Sequence, residues 1–410
     1  MTFHIIEGGV TAAKGFQASG IHCGIRKNRS KADLALIYSD VPCAAAAVYT
    51  QNLVKGAPIA VTKRNIADGM ARAVICNSGN ANTCNADGEE KAQKMCDLIA
   101  AELHIDPSDV IVASTGVIGQ VLPIEPIANS VKTLAEALSA TGSNDAAKAI
   151  MTTDTVEKEY ALEVELDGKT VTIGGITKGS GMIHPNMATM LGFLSTDASI
   201  TPELLNEALH TAIEDTFNMV SVDGDTSTND MVSVMASGLA ENQTITEKNH
   251  DYELFTQALT EVCAVLSRKI AKDGEGATRL LECAVTGAKT KEDARTVAKS
   301  VICSNLLKCA IFGADANWGR VLCAIGYSGA NIDINGVDVA FESKQGRIEV
   351  CKNGAGLPFD EDIAKKILLE DDIIVAVTLH EGNECATASV SYTHLDVYKR
   401  QVTISPTNTS

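Results

Sequence analysis

Short apolar segments, AAAAVYT (44–50), ARAVICN (71–77) and DVIVAST (109–115), recur along the early part of the chain and alternate with a helical pattern, EEKAQKMCDLIAAEL (89–103). Runs of this length suit buried strands, and the amphipathic repeat between them suits a helix laid over a sheet. The alternation confines the chain to layered helix and sheet. Apolar residues make up 45% of the sequence and aromatic ones only 4%, so the core must be built from closely packed Val, Ile, Leu and Ala. With 410 residues, two or three domains are expected at about 100–200 residues each.

Further along, EYALEVELDGKTVTIGGITKGSG (159–181) reads as a hairpin turning at Asp167-Gly168. Helices are expected over TPELLNEALHTAIEDTF (201–217) and YELFTQALTEVCAVLSRKIAKDG (252–274), the second ending at Gly274. Strand-like segments at 333–354 and 371–382 flank a short helix, DEDIAKKILLE (360–370), and are assigned to a separate C-terminal α+β subdomain from about residue 285. The expected fold is α/β (α+β), a layered αββα-type sandwich with that smaller subdomain appended. No internal repeat or low-complexity linker interrupts it.

Acidic residues outnumber basic ones, 52 to 34, for a formal net charge of −18. No Lys/Arg-rich run is present, so nucleic acid is not an expected partner. The amino-terminal stretch lacks a basic segment followed by an apolar one, and no apolar run approaches the roughly 18 residues of a membrane span, so no membrane association and a cytoplasmic location are expected. The 12 cysteines show no Cys-x-x-Cys spacing and mostly sit in apolar runs, which favours reduced core thiols. Several site types are excluded by spacing: there is no P-loop and no Gly-x-Gly-x-x-Gly. The histidines lack zinc-ligand spacing. The run DGDTSTND (223–230) has Thr228 where a calcium loop needs glycine and Val234 where it needs a bidentate glutamate. No metal is expected.

The most informative stretch is KGSGMIHPNMATMLGFLSTDA (178–198). A threonine hydroxyl is a weak nucleophile, but a threonine at a chain terminus carries its own base, an α-amino group with a pKa of about 7.7–8.0. Thr189 becomes a terminus if its Oγ attacks the Ala188 carbonyl and the Ala188-Thr189 bond breaks. Gly179 and Gly181 allow unusual dihedrals, Pro185 fixes a turn, and Ala188 leaves room for the hydroxyl. Composition alone also permits an ordinary loop.

This stretch resembles the autoprocessing motif of the ornithine acetyltransferase family, the bifunctional glutamate N-acetyltransferases of arginine biosynthesis. GGVTAAKGFQASG, VICNSGNANTCNADG, VASTGVIGQVLP, IMTTDT, SVDGDTSTNDMVSVMASG, KDGEGATRLLE, FGADANWGRVLCAIGYSG and LHEGNECATA resemble further family blocks in the expected order, from about residue 3 to 388. The resemblance implies self-cleavage into an α chain (1–188) and a β chain, whose residues 189–284 complete the catalytic core and whose residues 285–388 form the subdomain. It implies assembly as an α2β2 heterotetramer. Thr189 would take the acetyl group from N2-acetyl-L-ornithine, release ornithine and pass the acetyl to L-glutamate, with no metal or organic cofactor. Acetyl-CoA stays open as a second donor.

Thr115 and Gly116 match the family's oxyanion pair, although they also read as an ordinary turn at a strand end. Thr152, Lys178 and Glu275 match substrate-binding positions; Lys178 and Glu275 carry the opposite charges that an amino acid's carboxylate and ammonium require. Two other readings stay open: an N-terminal-nucleophile amidase or aminopeptidase in which water takes the acyl group, and a catalytically silent small-molecule binding protein. Finally, VSYTHLDVYKRQ (390–401) back-translates into a nearly complete inverted repeat resembling joined transposon ends. Residues 390–410 are therefore expected to be a non-native tail that does not pack.

Overall fold

The computed structural model describes residues 3–28, 30–184 and 190–393, with Tyr392 and Thr393 described by their backbone alone. Two compact units divide between Asp273 and Gly274. In chain order the first contains β1 (His4–Ile6), β2 (Phe16–Ile21), β3 (Leu34–Tyr49), α1 (Ala57–Asn65), β4 (Met70–Asn80), α2 (Gly88–Leu103), β5 (Val110–Val117), α3 (Ile124–Ala128), α4 (Val131–Glu136), α5 (Ser143–Ile150), β6 (Lys158–Leu166), β7 (Lys169–Lys178), β8 (Leu191–Thr196), α6 (Pro202–Asp215), β9 (Val220–Ser221), β10 (Met231–Ala236) and α7 (His250–Lys272). Nine of these strands form one sheet, ordered β1-β6-β7-β8-β10-β3-β4-β5 with β2 also on β3. The β4–β5 and β8–β10 pairs are parallel.

Strand periodicity separates the two faces of this sheet. Ala35, Ile37, Val74, Cys76, Ile111 and Ala113 share one core with Leu191, Phe193, Met231 and Met235 and with the buried face of α5. Their alternate neighbours Leu34, Leu36, Ala73, Ile75, Val110 and Val112 share another with α2. β3 breaks register between Tyr38 and Cys43, and such an irregularity lets a long strand bend. Its early half packs beneath α1 and α2 and its late half joins β10, so the two parts of the sheet enclose the first core. On the far side of β7, Leu266 of α7 lies where a Cβ on Gly175 would fall. The result is the expected helix–sheet–sheet–helix sandwich.

Local signals account for the element ends. The β6–β7 hairpin turns at Asp167 and Gly168, with φ of 50° and 68°, the left-handed pair that a two-residue hairpin loop requires. Thr201 caps α6 by accepting the Leu204 N–H, with Pro202 following it, and Asn249 caps α7 from the Tyr252 N–H. α7 stops at Lys272, not Gly274: Asp273 is its C-cap, and the side chain of Asp273 is engaged elsewhere in the first unit.

The second unit contains β11 (Ala277–Ala288), α8 (Lys291–Cys303), α9 (Asn305–Phe312), α10 (Trp318–Gly326), β12 (Asp338–Ser343), β13 (Gly346–Lys352), β14 (Ala355–Gly356), α11 (Glu361–Leu368), β15 (Asp372–Thr378) and β16 (Glu384–Thr393). Its strands run β14-β13-β12-β15-β11-β16. The expected boundary near residue 285 falls inside β11, a single continuous strand that pairs with β15 and β16 along its length. Residues 390–393 also differ from expectation. They extend β16 against β11, with Leu281 opposite Val390 and Leu280 opposite Ser391, and Val390 is fully buried. An apolar–polar alternation beside an open strand edge suffices for pairing, whatever its origin. The rest of the expected tail, 394–410, lies outside the described residues.

Candidate active site

Thr189 and Ala188 lie outside the described residues, as does Pro185; the chain on either side of them is held at close spacing. Upstream, Asp223 accepts the N–H of Met182 at 2.5 Å and of Ile183 at 3.0 Å, and Met182 takes a left-handed φ of 57°. The Ile183 carbonyl accepts the Val222 N–H at 2.8 Å, and His184 Nδ1 lies 3.2 Å from Ser221 Oγ. Downstream, Asp230 Oδ1 accepts the Met190 N–H at 2.7 Å. Leu191 then enters β8 between Lys178 of β7 and Met231 of β10. The carboxylates of the run that failed as a calcium loop thus hold both approaches to 185–189.

Thr115 and Gly116 end β5 beside Ser78 and Gly79 of β4. Thr115 is half-buried and Gly116 exposed. Gly116 has φ of 133°, and a Cβ there would lie 2.4 Å from the Gly79 carbonyl carbon; only glycine allows the two strands to approach so closely. Asn229 braces this strand end. Its amide donates to the carbonyls of Ser114 at 2.9 Å and Ala81 at 2.6 Å, and its oxygen accepts the hydroxyls of Thr83 and Thr228, each at 2.6 Å. Thr115 and Gly116 are thus part of β5 and not the turn the sequence also allowed, and consecutive residues, Asn229 and Asp230, tie this strand end to the backbone that follows Thr189.

Lys178 is buried at the end of β7. Burial pulls its ammonium below the ordinary lysine value, and Asp154 opposes that pull. The Thr152 N–H donates to Asp154 Oδ2 at 2.9 Å, and Lys178 Nζ lies 4.0 Å from the same oxygen. Contacts thus run from Thr152 through Asp154 to Lys178, which pairs with Leu191, and from Ser114, next to Thr115, through Asn229 and Asp230 to Met190. Glu275 is exposed in the turn closed by Ala277 N–H and Gly274 O at 2.8 Å, which opens the second unit.

Sequence reasoning missed Asp154, Lys158, Asp223, Asn229, Asp230 and Asp273. Three of them, Asp223, Asn229 and Asp230, lie in DGDTSTND, the run set aside as a calcium loop. The cysteines divide more evenly than expected. All 12 are free and Cys43, Cys76, Cys96, Cys263, Cys283 and Cys351 are buried, but Cys84, Cys309, Cys323 and Cys385 are exposed. Burial pushes the Cys76 thiol up to about 12, against the nearby charges of Lys178 and Arg26.

The sequence model of the ArgJ family matches residues 17–402. The chain belongs to the ArgJ family. Among ArgJ relatives, the arginine biosynthesis bifunctional protein ArgJ 1 of Clostridium acetobutylicum is 50% identical over 380 residues, covering 92% of this chain and 93% of that protein. The arginine biosynthesis bifunctional protein ArgJ of Caldanaerobacter subterraneus subsp. tengcongensis is 48% identical over 397 residues, covering 96% and 98%. A crystal structure of ornithine acetyltransferase complexed with ornithine, from Mycobacterium tuberculosis, is 35% identical, with a TM-score of 0.42 over 46% of this chain and 100% of that one. This ArgJ chain is an acyltransferase of arginine biosynthesis. Among the described residues no helix is long and apolar enough to cross a membrane.

Proposed function

We propose that this chain cleaves itself at Ala188-Thr189 and then transfers the acetyl group of N2-acetyl-L-ornithine to L-glutamate through an acetyl-Thr189 intermediate. The observation that carries the reading is the double brace of Asn229 and Asp230, which links a glycine-dependent strand end to the backbone one residue beyond Thr189. In the first step Thr189 Oγ attacks the Ala188 carbonyl carbon, the peptide nitrogen leaves as the new α-amine, and water hydrolyses the resulting ester. The freed amine then acts as general base for the same hydroxyl. Attack on the acetyl carbonyl builds negative charge on its oxygen, which the Thr115 hydroxyl and the Gly116 N–H are suited to receive.

Ornithine leaves with its amine protonated, and the glutamate amine attacks the acetyl ester to regenerate Thr189. Lys178 and Glu275 are assigned the carboxylate and ammonium of the amino acid substrates, with Thr152 as a further polar contact. These half-reactions use side-chain and backbone groups alone, so no cofactor is assigned. The two chains are proposed to assemble as an α2β2 heterotetramer. The relatives' designation as bifunctional supports acetyl-CoA as a second acetyl donor to glutamate.

The test is a double one. Wild-type protein should separate under denaturing conditions into two fragments meeting at Ala188-Thr189, and it should transfer label from acetylornithine to glutamate with ping-pong kinetics. A single uncleaved band from active protein overturns the nucleophile assignment. Acetate release without acetylglutamate would show that water is the acceptor.

A further inference from the structure

Four charged side chains meet out of solvent beside the proposed substrate site. Asp154 has a fully buried side chain, and its two oxygens are heavily engaged. Oδ1 accepts Lys158 Nζ at 2.8 Å and the Gly179 N–H at 2.7 Å; Oδ2 accepts the Thr152 N–H at 2.9 Å and faces Lys178 Nζ at 4.0 Å. Lys158, 1% exposed, also donates to Asp273 Oδ2 at 2.5 Å. Asp273 accepts the Thr155 N–H at 3.1 Å, and its backbone carbonyl accepts Ser180 Oγ at 2.9 Å. Two ammoniums are thus balanced by two carboxylates, as buried ions require.

We propose that Asp154 is a positioning residue for acetyl transfer: it fixes the Lys178 ammonium and the Thr152 turn as one unit, with Lys158 and Asp273 holding the carboxylate in place from behind. The proposal rests on the reading of Lys178 and Thr152 as substrate contacts. One carboxylate receives backbone N–H groups from both Thr152 and Gly179, so neither substrate-facing turn moves without straining the other. A simple fold-stabilising pair would need no such convergence; Lys158 with Asp273 alone would satisfy the charges at the end of α7.

The titratable groups facing Lys178 are Asp154, Lys158, Asp230 and the thiol of Cys76, and Arg26 also interacts with Asp154 and Cys76. Burial works to raise the Asp154 carboxyl, but Lys178, Lys158 and the Thr152 N–H hold it well below the usual carboxylate range. Asp154 is therefore charged wherever the enzyme works, and its charge opposes the loss of the Lys178 proton. Removing that charge leaves burial unopposed by its nearest partner, so Lys178 gives up its proton at lower pH.

The experiment is acetyl transfer from acetylornithine to glutamate by Asp154→Asn, measured from neutral to alkaline pH. The KM for acetylornithine should rise on the order of ten- to a hundredfold, the alkaline limb of kcat/KM should move to lower pH, and Asp154→Glu should restore the limb in part. Asp273→Asn, which leaves Lys158 leaning on Asp154 alone, should move the limb the same way by a smaller amount and serves if Asp154→Asn does not fold. An unchanged limb and KM in the folded variants overturns the proposal. If wild-type protein transfers no acetyl to glutamate, the reaction assignment fails by itself. Hydrogen exchange then decides the positioning claim: amides of 152–155 and 178–180 must both exchange faster in Asp154→Asn, and an effect confined to one segment overturns it.

Discussion

Asp230 accepts the N–H of Met190 at 2.7 Å from a side chain that is 1% exposed. A buried carboxylate on a backbone N–H fixes that peptide's orientation, and the peptide in question directly follows Thr189. The neighbouring Asn229 carries the Ser114 carbonyl at 2.9 Å, so the proposed nucleophile and the proposed oxyanion donors share one loop for their alignment.

Asp230→Ala should slow self-cleavage. Losing a buried charge-assisted hydrogen bond costs roughly 1.5–3 kcal/mol, enough to slow an alignment-dependent attack by about tenfold or more. The measurement is the fraction of full-length chain remaining with time after synthesis. Complete cleavage at the wild-type rate would remove Asp230 from the mechanism.

Gly116→Ala should impair both the strand end and the chemistry. The added Cβ meets backbone atoms of Gly79 and Asn80 at 2.4 and 2.6 Å, contacts that flexible side chains cannot relieve. Displacing one oxyanion donor is expected to lower kcat by on the order of a hundredfold. Thr115→Ala removes the hydroxyl and one methyl at a half-buried position without crowding the backbone, so it should lower kcat while moving the thermal midpoint far less than Gly116→Ala. Steady-state kinetics with thermal unfolding separates the two variants.

Stability should fall with acid in a way that identifies Asp154. Its carboxyl is held below the usual range by Lys178 and Lys158 against the effect of burial, so its contribution is complete above the unfolded value of about 3.9. That contribution is lost as pH falls through the lower folded value. Asp154→Asn should be less stable than wild type at neutral pH, and the gap should narrow as acid protonates the wild-type carboxyl. Urea midpoints of both proteins over the acid range provide the check; a gap constant with pH would contradict the pairing.

Val390→Asp should destabilise the second unit. The wild-type side chain is fully buried opposite Leu281, and an unpaired carboxylate there would cost several kcal/mol. Chemical denaturation followed by a probe in the second unit should show the loss, with little change in the first. An unchanged transition would mean that the end of β16 contributes nothing to the fold.

Much of the local structure could be read directly from the chain. Apolar runs and a helical period marked the late part of β3, β4, β5 and α2, and Asp167-Gly168 marked the hairpin turn, because each depends on neighbours a few residues away; the start of α7 at His250, capped by Asn249, lies just upstream of the expected Tyr252. The roles proposed for Thr189, Thr115, Gly116, Thr152, Lys178 and Glu275 come from family blocks whose order is linear along the chain. Tertiary structure alone decided how one sheet bends across the β3 irregularity to enclose a core, and why the second unit starts before β11 and not within it. It also decided that Lys158, already paired with Asp154, meets Asp273 from more than a hundred residues away, and that Asp223 and Asp230 hold opposite sides of the same segment. A charged residue's partner leaves no periodic trace in sequence; it is selected when folding removes water and every buried charge must find a counterpart.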